Sequence, residues 1–544
     1  MTRAVSPAWI VGAASLWMAL AGNLALWRKL AALDLLANAG GWAFATGLAV
    51  VIWASLAAVL GLLCWRFLLK PAATLLLVTA AFASHFMLSY GIVIDPGMVV
   101  NALQTDVHEA AALACTQLAV SLLLLAVLPA WLIWRQPVAY GSARRQLGRS
   151  GALLVIAMLV LAMAVLASFQ PLASVMRNHR EVRYLFNPLA SVYSLGRAAS
   201  RPWERTETAL ALVGEDARLG RNHGGRARPP LMLLVLGETG RSGNFGLNGY
   251  ARPTTPELER EQVFSFRNAW SCGTSTAASV PCMFSNLTRA GFDSRHGRRE
   301  GLMDVLQRAG LAVLWLDNQS GCKGVCDRIP TIDTSRSTDA QLCPGGECLD
   351  EIMLQGLDAR IDALDPQRRA RGVVVVMHQM GSHGPAYHLR SPAAQKRFLP
   401  ECASASLQDC SRDSVVNAYD NSIAYTDHFL AKSIAWLKSR QDRADPALVY
   451  LADHGESLGE NNLYLHGMPY AVAPDVQKRV PWITWLSPGF TAAAGVSPDC
   501  LRSEKDTAIS HDNFFHSVLG MLDVDTSAYR QALDVYAPCR RSLG

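Results

Sequence analysis

The sequence predicts a multi-domain protein: an N-terminal domain of five transmembrane helices, then an α/β domain with a mostly parallel sheet and helices on both faces. Up to about residue 170 the chain is rich in Ala, Leu, Val and Trp and carries few charges, whereas after about residue 200 it has the mixed composition of a soluble domain. We therefore expect a transmembrane domain at 1–170, an interfacial linker at 171–220 and an α/β domain at 221–544.

Five apolar stretches are each long enough to cross a bilayer, which takes about 20 apolar residues. They lie at 8–27, 41–64, 72–94, 113–134 and 151–169. The loops after the second and fourth stretches are basic, with Arg66, Lys70, Arg135, Arg144, Arg145 and Arg149. Because basic short loops stay in the cytoplasm, five spans with a cytoplasmic start place everything after residue 170 outside it.

The linker mixes arginines with aromatic residues over 170–206. This composition suits an amphipathic helix that lies in the membrane surface. It suits a plain exposed linker equally well, and the sequence leaves both interpretations open.

Ten of the twelve cysteines follow residue 170. Eight form close pairs and two remain: Cys272 and Cys282, Cys322 and Cys326, Cys343 and Cys348, Cys402 and Cys410, then Cys500 and Cys539. An even number at short spacings in an oxidising compartment predicts disulfides, with a structural zinc site as the alternative and the connectivity left open. A net charge of +6 without a basic stripe gives no case for a nucleic-acid partner.

Five short, continuous apolar runs in the second part have the pattern of strands buried on both faces. They lie at 231–236, 311–316, 373–377, 447–451 and 482–486, with helical stretches between several of them. Polar residues follow three of these runs closely: Glu238, then His378 and His383, then Asp453 and His454. Since ligands of open α/β sheets bind beyond the carboxyl ends of the strands, we expect these side chains at one edge.

Glu238, Asp453 and His454 are the predicted ligands of a divalent metal. Carboxylate oxygen and imidazole nitrogen together suit zinc, and an open fourth position is typical of a catalytic site. A single Asp-His pair after a strand more often caps a helix or forms a satisfied polar group in the core. The agreement between separate strand ends favours the metal.

Residues 271–282, SCGTSTAASVPC, contain five hydroxyl side chains just before a predicted helix. Such hydroxyls are most often N-caps. The alternative is that one of them is a nucleophile, because a helix N-terminus favours a developing alkoxide and an incoming phosphate. A bound metal would lower the pKa of that hydroxyl further. Composition does not separate Thr274 from Thr276.

A second candidate site lies between the third and fourth spans. Asn101, Thr105 and Glu109 are spaced i, i+4, i+8, which places all three on one face of a helix. A solvated face of a short interfacial helix is the simpler interpretation. A face that lines a lipid-binding site, with Glu109 near a cationic amine, is the alternative.

Four motifs in order resemble the lipid A phosphoethanolamine transferases, the family that includes the mobile colistin-resistance enzymes. They are GET at 237–239, the segment 271–282, HQMGSHGP at 378–385 and ADHGESLGE at 452–460. The resemblance covers essentially the whole chain, including the five spans and the paired cysteines. One departure is Gly240, where the family often has Ser or Ala.

The resemblance implies an alkaline-phosphatase/sulfatase-like periplasmic domain on a multi-pass protein of the inner membrane, expected to be a monomer. It implies transfer of phosphoethanolamine from phosphatidylethanolamine to a lipid A phosphate, with release of diacylglycerol and a lower negative charge of the outer membrane, hence polymyxin or colistin resistance. Thr276 would be the nucleophile and would form a covalent phosphothreonine-type intermediate. One tightly bound zinc would contact Thr276, Glu238, Asp453 and His454.

The same resemblance implies the residues around the substrate. These are Thr274, Lys323, His378, His383 and His466 beside the phosphate, and Asn101, Thr105 and Glu109 at the lipid. His383 and His466 are also the residues to which the resemblance assigns a second zinc ion.

Other functions are weighed against this one. A sister transferase would use a core sugar or a glucan as acceptor, and a membrane-anchored metal-dependent phosphodiesterase would use water. The C/S-x-P-x-R signature of sulfatases is absent, because Met283, Phe284 and Ser285 follow Cys282. A transporter would need polar residues in several spans, and these spans are almost purely apolar.

Overall fold

The computed structural model describes residues 4–104, 113–206, 209–295 and 297–541. The chain divides into two compact units. The first comprises Met1–Val100 and Ala114–Ser200, and the second comprises Asn101–Leu113 and Arg201–Gly544. The finer boundaries at 170 and 220 remain a prediction.

Helices dominate the N-terminal part of the chain. Those described up to residue 206 are α1 (Pro7–Leu20), α2 (Leu24–Ala32), α3 (Ala39–Leu62), α4 (Leu69–Tyr90), α5 (Pro96–Leu103), α6 (Thr116–Leu122), α7 (Leu128–Arg135), α8 (Ala143–Ala167), α9 (Phe169–Asn178) and α10 (Leu189–Thr206). A 3₁₀ turn at Ala21–Asn23 joins α1 to α2, and a π turn at Leu123–Val127 joins α6 to α7.

In the part of the chain that the structure describes, five helical segments are long and apolar enough to cross a membrane, which confirms the predicted number of spans. They are Pro7–Ala32, Ala39–Leu62, Leu69–Tyr90, Thr116–Arg135 and Ala143–Ala167. Many of their large apolar side chains, such as those of Trp42, Leu159 and Leu166, are exposed at the surface of the protein. Contact with lipid tails is favourable for such side chains, whereas contact with water is unfavourable.

A buried pair of asparagines fastens the segment after the fifth span to the earlier helices. Asn187 donates its backbone N–H to Asn23 Oδ1 at 2.9 Å and receives the Asn23 amide on its own carbonyl at 2.6 Å. Its side-chain amide donates to Ala80 O at 2.7 Å. These bonds satisfy polar groups that would be costly to leave unpaired in an apolar setting. The interfacial position of α9 and α10 remains a prediction.

The second unit contains a mixed eight-stranded sheet. The strands among the described residues are β1 (Arg218–Leu219), β2 (Pro230–Gly237), β3 (Phe264–Trp270), β4 (Ala312–Asp317), β5 (Thr331–Asp333), β6 (Val373–His378), β7 (Asp445–Ala452), β8 (Ser457–Glu460), β9 (Leu463–Leu465), β10 (Arg479–Leu486), β11 (Ile509–Ser510) and β12 (Val524–Asp525). The sheet order is β11-β3-β10-β7-β2-β6-β4-β5. β8 pairs with β9 and β1 with β12 in two small ribbons.

Seven of the eight strands run in one direction. β10 is antiparallel to both of its neighbours, β3 and β7, and the other pairs are parallel. The prediction of a mostly parallel sheet is therefore confirmed, and the run at 482–486 is its one reversed strand. Every residue of β2, β4, β6 and β7 is buried. Because successive side chains alternate between faces, both faces of the sheet are covered.

The helices of the second unit are mostly short. Those described after residue 206 are α11 (Pro256–Arg260), α12 (Thr276–Met283), α13 (Arg289–Asp293), α14 (Leu302–Arg308), α15 (Leu357–Asp362), α16 (Pro366–Arg369), α17 (Arg412–Lys438), α18 (Pro488–Ala494), α19 (Pro498–Ser503) and α20 (Phe514–Met521). α17 and α18 pack on β7, and α14 packs on β4. The 27-residue α17 buries polar as well as apolar side chains, among them Tyr419 and Asp420.

Five disulfides cross-link the second unit. They join Cys272 to Cys282, Cys322 to Cys326, Cys343 to Cys348, Cys402 to Cys410, and Cys500 to Cys539. The prediction of disulfides is confirmed, and the structure supplies the connectivity that the sequence left open. Cys64 and Cys115 are free thiols.

Candidate active site

The carboxyl ends of four parallel strands meet at one edge of the sheet. β2 ends just before Glu238, β7 just before Asp453, and β3 leads into the loop that carries Thr276. β6 ends at His378. β2, β6 and β7 share a direction because they pair in parallel, and β3 has the same direction because both β3 and β7 are antiparallel to β10 between them. This common direction brings distant parts of the chain to one place.

Glu238, Asp453 and His454 form a compact, fully buried cluster. One potential ligand atom from each lies within 4.8 Å of the others, and their exposed fractions are 1%, 0% and 0%. His454 Nε2 is 3.3 Å from Asp453 Oδ2 and 3.5 Å from Glu238 Oε1. Within the residues that the structure describes, this is the one group of three such side chains with metal-ligand spacing.

The electrostatics of the cluster favour a cation. Burial, and then the neighbouring Asp453 carboxylate, raise the pKa of Glu238 above its ordinary value. Burial raises the pKa of Asp453 to about 6 and lowers the pKa of His454 to about 4. Two buried carboxylates beside a neutral imidazole repel one another. A divalent cation bound between them would offset this repulsion.

The orientation of the donor atoms fits a metal as well. His454 Nδ1 lies 2.9 Å from the Gly455 carbonyl, so the proton belongs on Nδ1 and Nε2 presents its lone pair to the cluster. Asp453 Oδ1 accepts from the backbone N–H groups of Thr239 and His454. Asp453 Oδ2 has no hydrogen-bond partner in the part of the chain that the structure describes. The donor set of two carboxylates and one imidazole suits zinc.

Thr276 is the first residue of α12 and lies against this cluster. Its Oγ1 is 3.0 Å and 3.2 Å from the two carboxylate oxygens of Glu238 and 3.4 Å from His454 Nε2. The hydroxyl of Thr274 instead donates to the carbonyl of Met468 at 2.6 Å. The geometry thus distinguishes two residues that composition could not.

The carboxylate of Glu238 is held from several sides. Gln319 Nε2 donates to its Oε2 at 3.1 Å, and Thr239 Oγ1 donates to its Oε1 at 2.7 Å. Thr239 has a positive φ of 58°, and Tyr419 donates its hydroxyl to the Thr239 carbonyl. Gly381 packs directly on this turn, where a Cβ would come within 2.6 Å of the Glu238 carbonyl oxygen. Only glycine allows that approach.

His378 is paired with an aspartate at the end of the neighbouring strand. Asp317 Oδ2 lies 3.1 Å from His378 Nδ1, and both side chains are buried. Burial, the largest single effect, lowers the pKa of His378, but the charge and hydrogen bond of Asp317 together with the charges of Glu238 and Asp453 outweigh it, so that pKa is raised. Burial likewise opposes ionisation of Asp317, but the charge and hydrogen bond of His378, with hydrogen bonds from Trp315 and the Gly321 N–H, together lower the Asp317 pKa to about 2. The pair therefore favours an imidazolium whose Nε2 has no partner among the described residues.

His466 and His383 extend the site away from the cluster. The ring centroid of His466 is 4.2 Å from that of His454 and 5.8 Å from that of His383. Burial lowers the pKa of both His383 and His466, so both rings are neutral. His466 Nδ1 is 3.4 Å from Glu456 Oε1, and burial raises the pKa of Glu456 to about 8.

The positive charge of Lys323 is one of the smaller causes of the lowered pKa of His383. Its Nζ donates to the carbonyl and hydroxyl of Ser320 at 2.9 Å and 2.7 Å. Of the residues predicted for the lipid site, Asn101 lies on α5. Thr105 and Glu109 lie outside the described residues, so the predicted shared face stays a prediction.

Several residues at this edge were not singled out from the sequence. Asp317 and Gln319 follow a predicted strand directly, so the rule that identified Glu238 would also have found them. Arg390 donates to the carbonyl of His383 at 2.8 Å, and no motif marks it. His511 joins Cys272 N to the Ala452 carbonyl across the loop and strand that carry the cluster. It belongs to a short 3₁₀ turn after a two-residue edge strand, which leaves no periodic signal.

Gly240, the departure from the family pattern, has a local explanation. A Cβ at this position would lie 2.6 Å from Ala452 Cβ and 2.9 Å from the Tyr450 hydroxyl. These two side chains fill the space that a Ser or Ala side chain would need.

The fold and the site define a membrane-anchored member of the sulfatase class of α/β domains. The family model described as Sulfatase matches residues 230–524, and the model described as "Phosphoethanolamine transferase EptA/EptB" matches residues 52–202. The first match concerns the fold, because the sulfatase signature is absent after Cys282.

Comparisons over the full length are more specific. The chain is 39% identical over 504 residues to phosphoethanolamine transferase EptA of Escherichia coli K12, covering 90% of this chain and 89% of the relative. It is 36% identical over 533 residues to phosphatidylethanolamine transferase Mcr-1 of Escherichia coli, covering 96% of each. The solved integral membrane EptA of Neisseria meningitidis superposes with a TM-score of 0.93 at 33% identity, covering 99% of this chain and 100% of that one. The chain therefore belongs to the EptA and Mcr family of phosphoethanolamine transferases and is a multi-pass membrane protein.

Proposed function

We propose that this protein transfers phosphoethanolamine from phosphatidylethanolamine to a phosphate of lipid A, through a covalent intermediate on Thr276. The observation that carries the proposal is the position of Thr276 Oγ1, 3.0 Å from Glu238 Oε2 and beside His454, in a chain of the EptA and Mcr family. Phosphoryl transfer needs a nucleophile and groups that stabilise charge on the phosphoryl oxygens. Thr276 can supply the first, and the metal-ligand cluster and the histidines at the same edge of the sheet can supply the second.

The resident metal in this proposal is zinc, held by Glu238, Asp453, His454 and Thr276. When bound, zinc supplies a Lewis acid that lowers the pKa of the hydroxyl it contacts and stabilises charge on phosphoryl oxygens. The carboxylate of Glu238 accepts the Thr276 hydroxyl proton at 3.0 Å. A second zinc at His383 and His466 is a further proposal, which zinc-to-protein stoichiometry by elemental analysis tests.

The reaction has two halves that exchange one group. In the first, Thr276 Oγ1 bonds to the donor phosphorus, and the bond from phosphorus to the glycerol oxygen breaks. Diacylglycerol leaves with the proton. In the second, an oxygen of a lipid A phosphate that carries one proton bonds to the same phosphorus, and the bond to Thr276 breaks. The proton of that phosphate passes through Glu238 to Thr276 Oγ1 and restores the hydroxyl. Exchange through one residue predicts ping-pong kinetics.

The surrounding side chains contact the phosphoryl group in this proposal. The imidazolium of His378 and the ammonium of Lys323 attract the non-bridging oxygens. Neutral His383 and His466, with depressed pKa values, can each donate one hydrogen bond and accept one. Thr274 contributes its hydroxyl oxygen as an acceptor, since its proton is used at Met468 O.

The proposed lipid site consists of Asn101, Thr105 and Glu109, with Glu109 facing the ethanolamine amine. A Glu109→Gln variant with unchanged donor turnover and unchanged acceptor modification would remove Glu109 from the proposal. A matched control adds Gln104→Glu to the Glu109→Gln variant. The new carboxylate then lies one position before Thr105, and it should not restore the activity that Glu109→Gln loses.

The proposed location is the inner membrane, with the second unit in the periplasm, as a monomer. The basic loops around Arg66 and Arg145 support the orientation, and five disulfides support an oxidising compartment. Each added ethanolamine brings a positive amine to a lipid phosphate, which weakens binding of cationic polymyxins.

Mass spectrometry of lipid A tests the proposal directly. Cells expressing the chain should contain lipid A with an added phosphoethanolamine, and cells expressing a Thr276→Ala variant at equal level should not. Unmodified lipid A together with phosphoethanolamine on a core sugar or glucan would support a sister transferase instead. Release of free phosphoethanolamine without any modified acceptor would support a phosphodiesterase.

A further inference from the structure

A groove runs between three membrane helices of the first unit. It encloses a cavity of about 470 Å³, within the range of about 300–1,000 Å³ that is usual for small-molecule sites. Its walls come from α1, α3 and α8, and most are apolar, including Val11, Ala57, Leu153, Ile156 and Val160. None of the residues that line it belongs to the candidate active site.

One end of the groove contains a buried polar group whose bonding is incomplete. Gln146 is only 3% exposed, and its Nε2 donates to the carbonyl of Cys64 at 2.6 Å. Its Oε1 has no hydrogen-bond partner among the described residues. A buried amide oxygen normally accepts a hydrogen bond. A ligand in this groove would supply one if it carried a hydroxyl or N–H donor.

The same end of the groove is positively charged. Arg149 follows Gln146 by one helical turn, lines the cavity and is exposed. Arg144 and Arg145 precede it on α8, and the sequence has no Asp or Glu between Glu109 and Glu181. The region therefore complements an anionic headgroup on the side that the basic loops assign to the cytoplasm.

We propose that this groove binds one phosphatidylglycerol molecule of the cytoplasmic leaflet. Its phosphate contacts Arg149, a hydroxyl of its glycerol headgroup donates to Gln146 Oε1, and one acyl chain lies between α1, α3 and α8. Phosphatidylethanolamine carries a phosphate too, but its ammonium group leaves the headgroup without net charge and would be repelled by the guanidinium of Arg149, the arginine that lines the cavity. The lipid acts as a structural ligand of the membrane helices and is separate from the substrate.

Native mass spectrometry of the full-length protein in mild detergent tests this proposal. After delipidation, the protein is titrated with phosphatidylglycerol and, in parallel, with phosphatidylethanolamine. We expect one phosphatidylglycerol to bind, and phosphatidylethanolamine to bind more weakly. The Arg149→Gln variant should weaken phosphatidylglycerol binding by about tenfold, the effect of losing one charge-assisted hydrogen bond.

Two further variants make the result decisive. Gly12→Leu should fill the groove and abolish binding, and a Cβ at Gly12 meets no atom within 4 Å, so the variant should fold. Arg144→Gln, on the same helix but outside the groove lining, should bind like the parent. Equal losses in Arg144→Gln and Arg149→Gln would mean non-specific attraction and would overturn the proposal. Unchanged binding in Gly12→Leu, or equal affinity for the two lipids, would overturn it as well.

Discussion

Thr276 Oγ1 lies 3.0 Å from Glu238 Oε2, although 38 positions separate the two residues in the chain. Thr276 follows β3 and Glu238 follows β2, which are separated in the sheet by β10 and β7. The contact exists because β2 and β3 run in the same direction, so the segments after them emerge at one edge. The proposed chemistry depends on this contact.

Replacing Thr276 should abolish transfer while leaving the fold intact. We expect Thr276→Ala to lower kcat/KM by at least about 10³-fold, because removal of a covalent nucleophile cannot be compensated by its neighbours. Loss of its hydrogen bond should cost only about 1 kcal/mol of stability. Thr276→Ser, which keeps a hydroxyl, should retain measurable activity. The activities of the parent and the two variants are measured as transfer of labelled phosphoethanolamine to lipid A in vesicles. An active Thr276→Ala variant would exclude Thr276 as the nucleophile.

Zinc should stabilise the protein more at neutral than at acidic pH. The pKa of Asp453 is raised from 3.8 to about 6, so without metal its contribution to stability is fully present below about pH 3.8 and is lost as pH rises through about 6. Zinc needs the ionised carboxylate, so its binding strengthens over the same interval. With free zinc about 100-fold above Kd, the gain should be about 2.7 kcal/mol.

Thermal unfolding of chelated and zinc-loaded protein, at about pH 5 and about pH 7.5, measures this linkage. Asp453→Asn should reduce the zinc-dependent rise in Tm at the higher pH. A zinc effect that is equal at both pH values, or equal in parent and variant, would contradict the assignment of Asp453 as a ligand.

Asp317 should set the pH range in which His378 is charged. Since Asp317 raises the pKa of His378, Asp317→Asn should lower it, and the imidazolium should then be lost at lower pH. The alkaline limb of the kcat/KM profile should shift to lower pH. Asp333→Asn is the matched control, because Asp333 ends the adjacent strand β5 and pairs with the exposed Arg336. A profile that stays unchanged in Asp317→Asn would mean that His378 does not act as a cation.

His511 should position the site without taking part in the reaction. Its Nδ1 accepts from Cys272 N at 3.0 Å, and its Nε2 lies 2.9 Å from the Ala452 carbonyl, so the ring connects the Thr276 loop to the strand before Asp453. Burial lowers its pKa to about 3, which keeps the ring neutral. His511→Phe leaves both backbone groups unpaired, at a cost of about 1–3 kcal/mol each. We also expect kcat to fall by about 10–100-fold, because misplacement by about 1 Å has effects of that order.

His516→Phe is the control for general destabilisation. His516 is equally buried and accepts from Arg530 N at 3.1 Å, away from the cluster. It should lose stability but keep kcat when measured well below its Tm. If the two variants lost kcat in proportion to their loss of Tm, His511 would be structural only.

Ligands of open α/β sheets bind beyond the carboxyl ends of the strands, and this rule explains how much of the site could be predicted from the sequence. Glu238, Asp453 and His454 follow continuous apolar runs, and the parallel sheet that those runs predict brings them together. The five spans were equally readable, since length and apolarity define them. The reversed direction of β10 could not be read, because an apolar run has no direction.

Other features depend on contacts between distant residues. Whether Thr274 or Thr276 faces the cluster depends on the hydrogen bond from Thr274 to Met468 O, 194 positions away. His511 likewise acts through partners 239 and 59 positions distant. No local pattern in the sequence encodes such pairings. Asp317 is different, because it directly follows a predicted strand, and the rule that identified Glu238 would have identified it as well.

The most direct test of the central claim is the intact mass of the purified protein after incubation with phosphatidylethanolamine and zinc, without acceptor. We predict that one phosphoethanolamine becomes covalently attached, that peptide mapping places it on Thr276, and that adding lipid A removes it. Diacylglycerol should appear in equal amount to the adduct. Transfer to lipid A that proceeds normally with no adduct at any time under rapid quenching, or an adduct on another residue, would contradict the account.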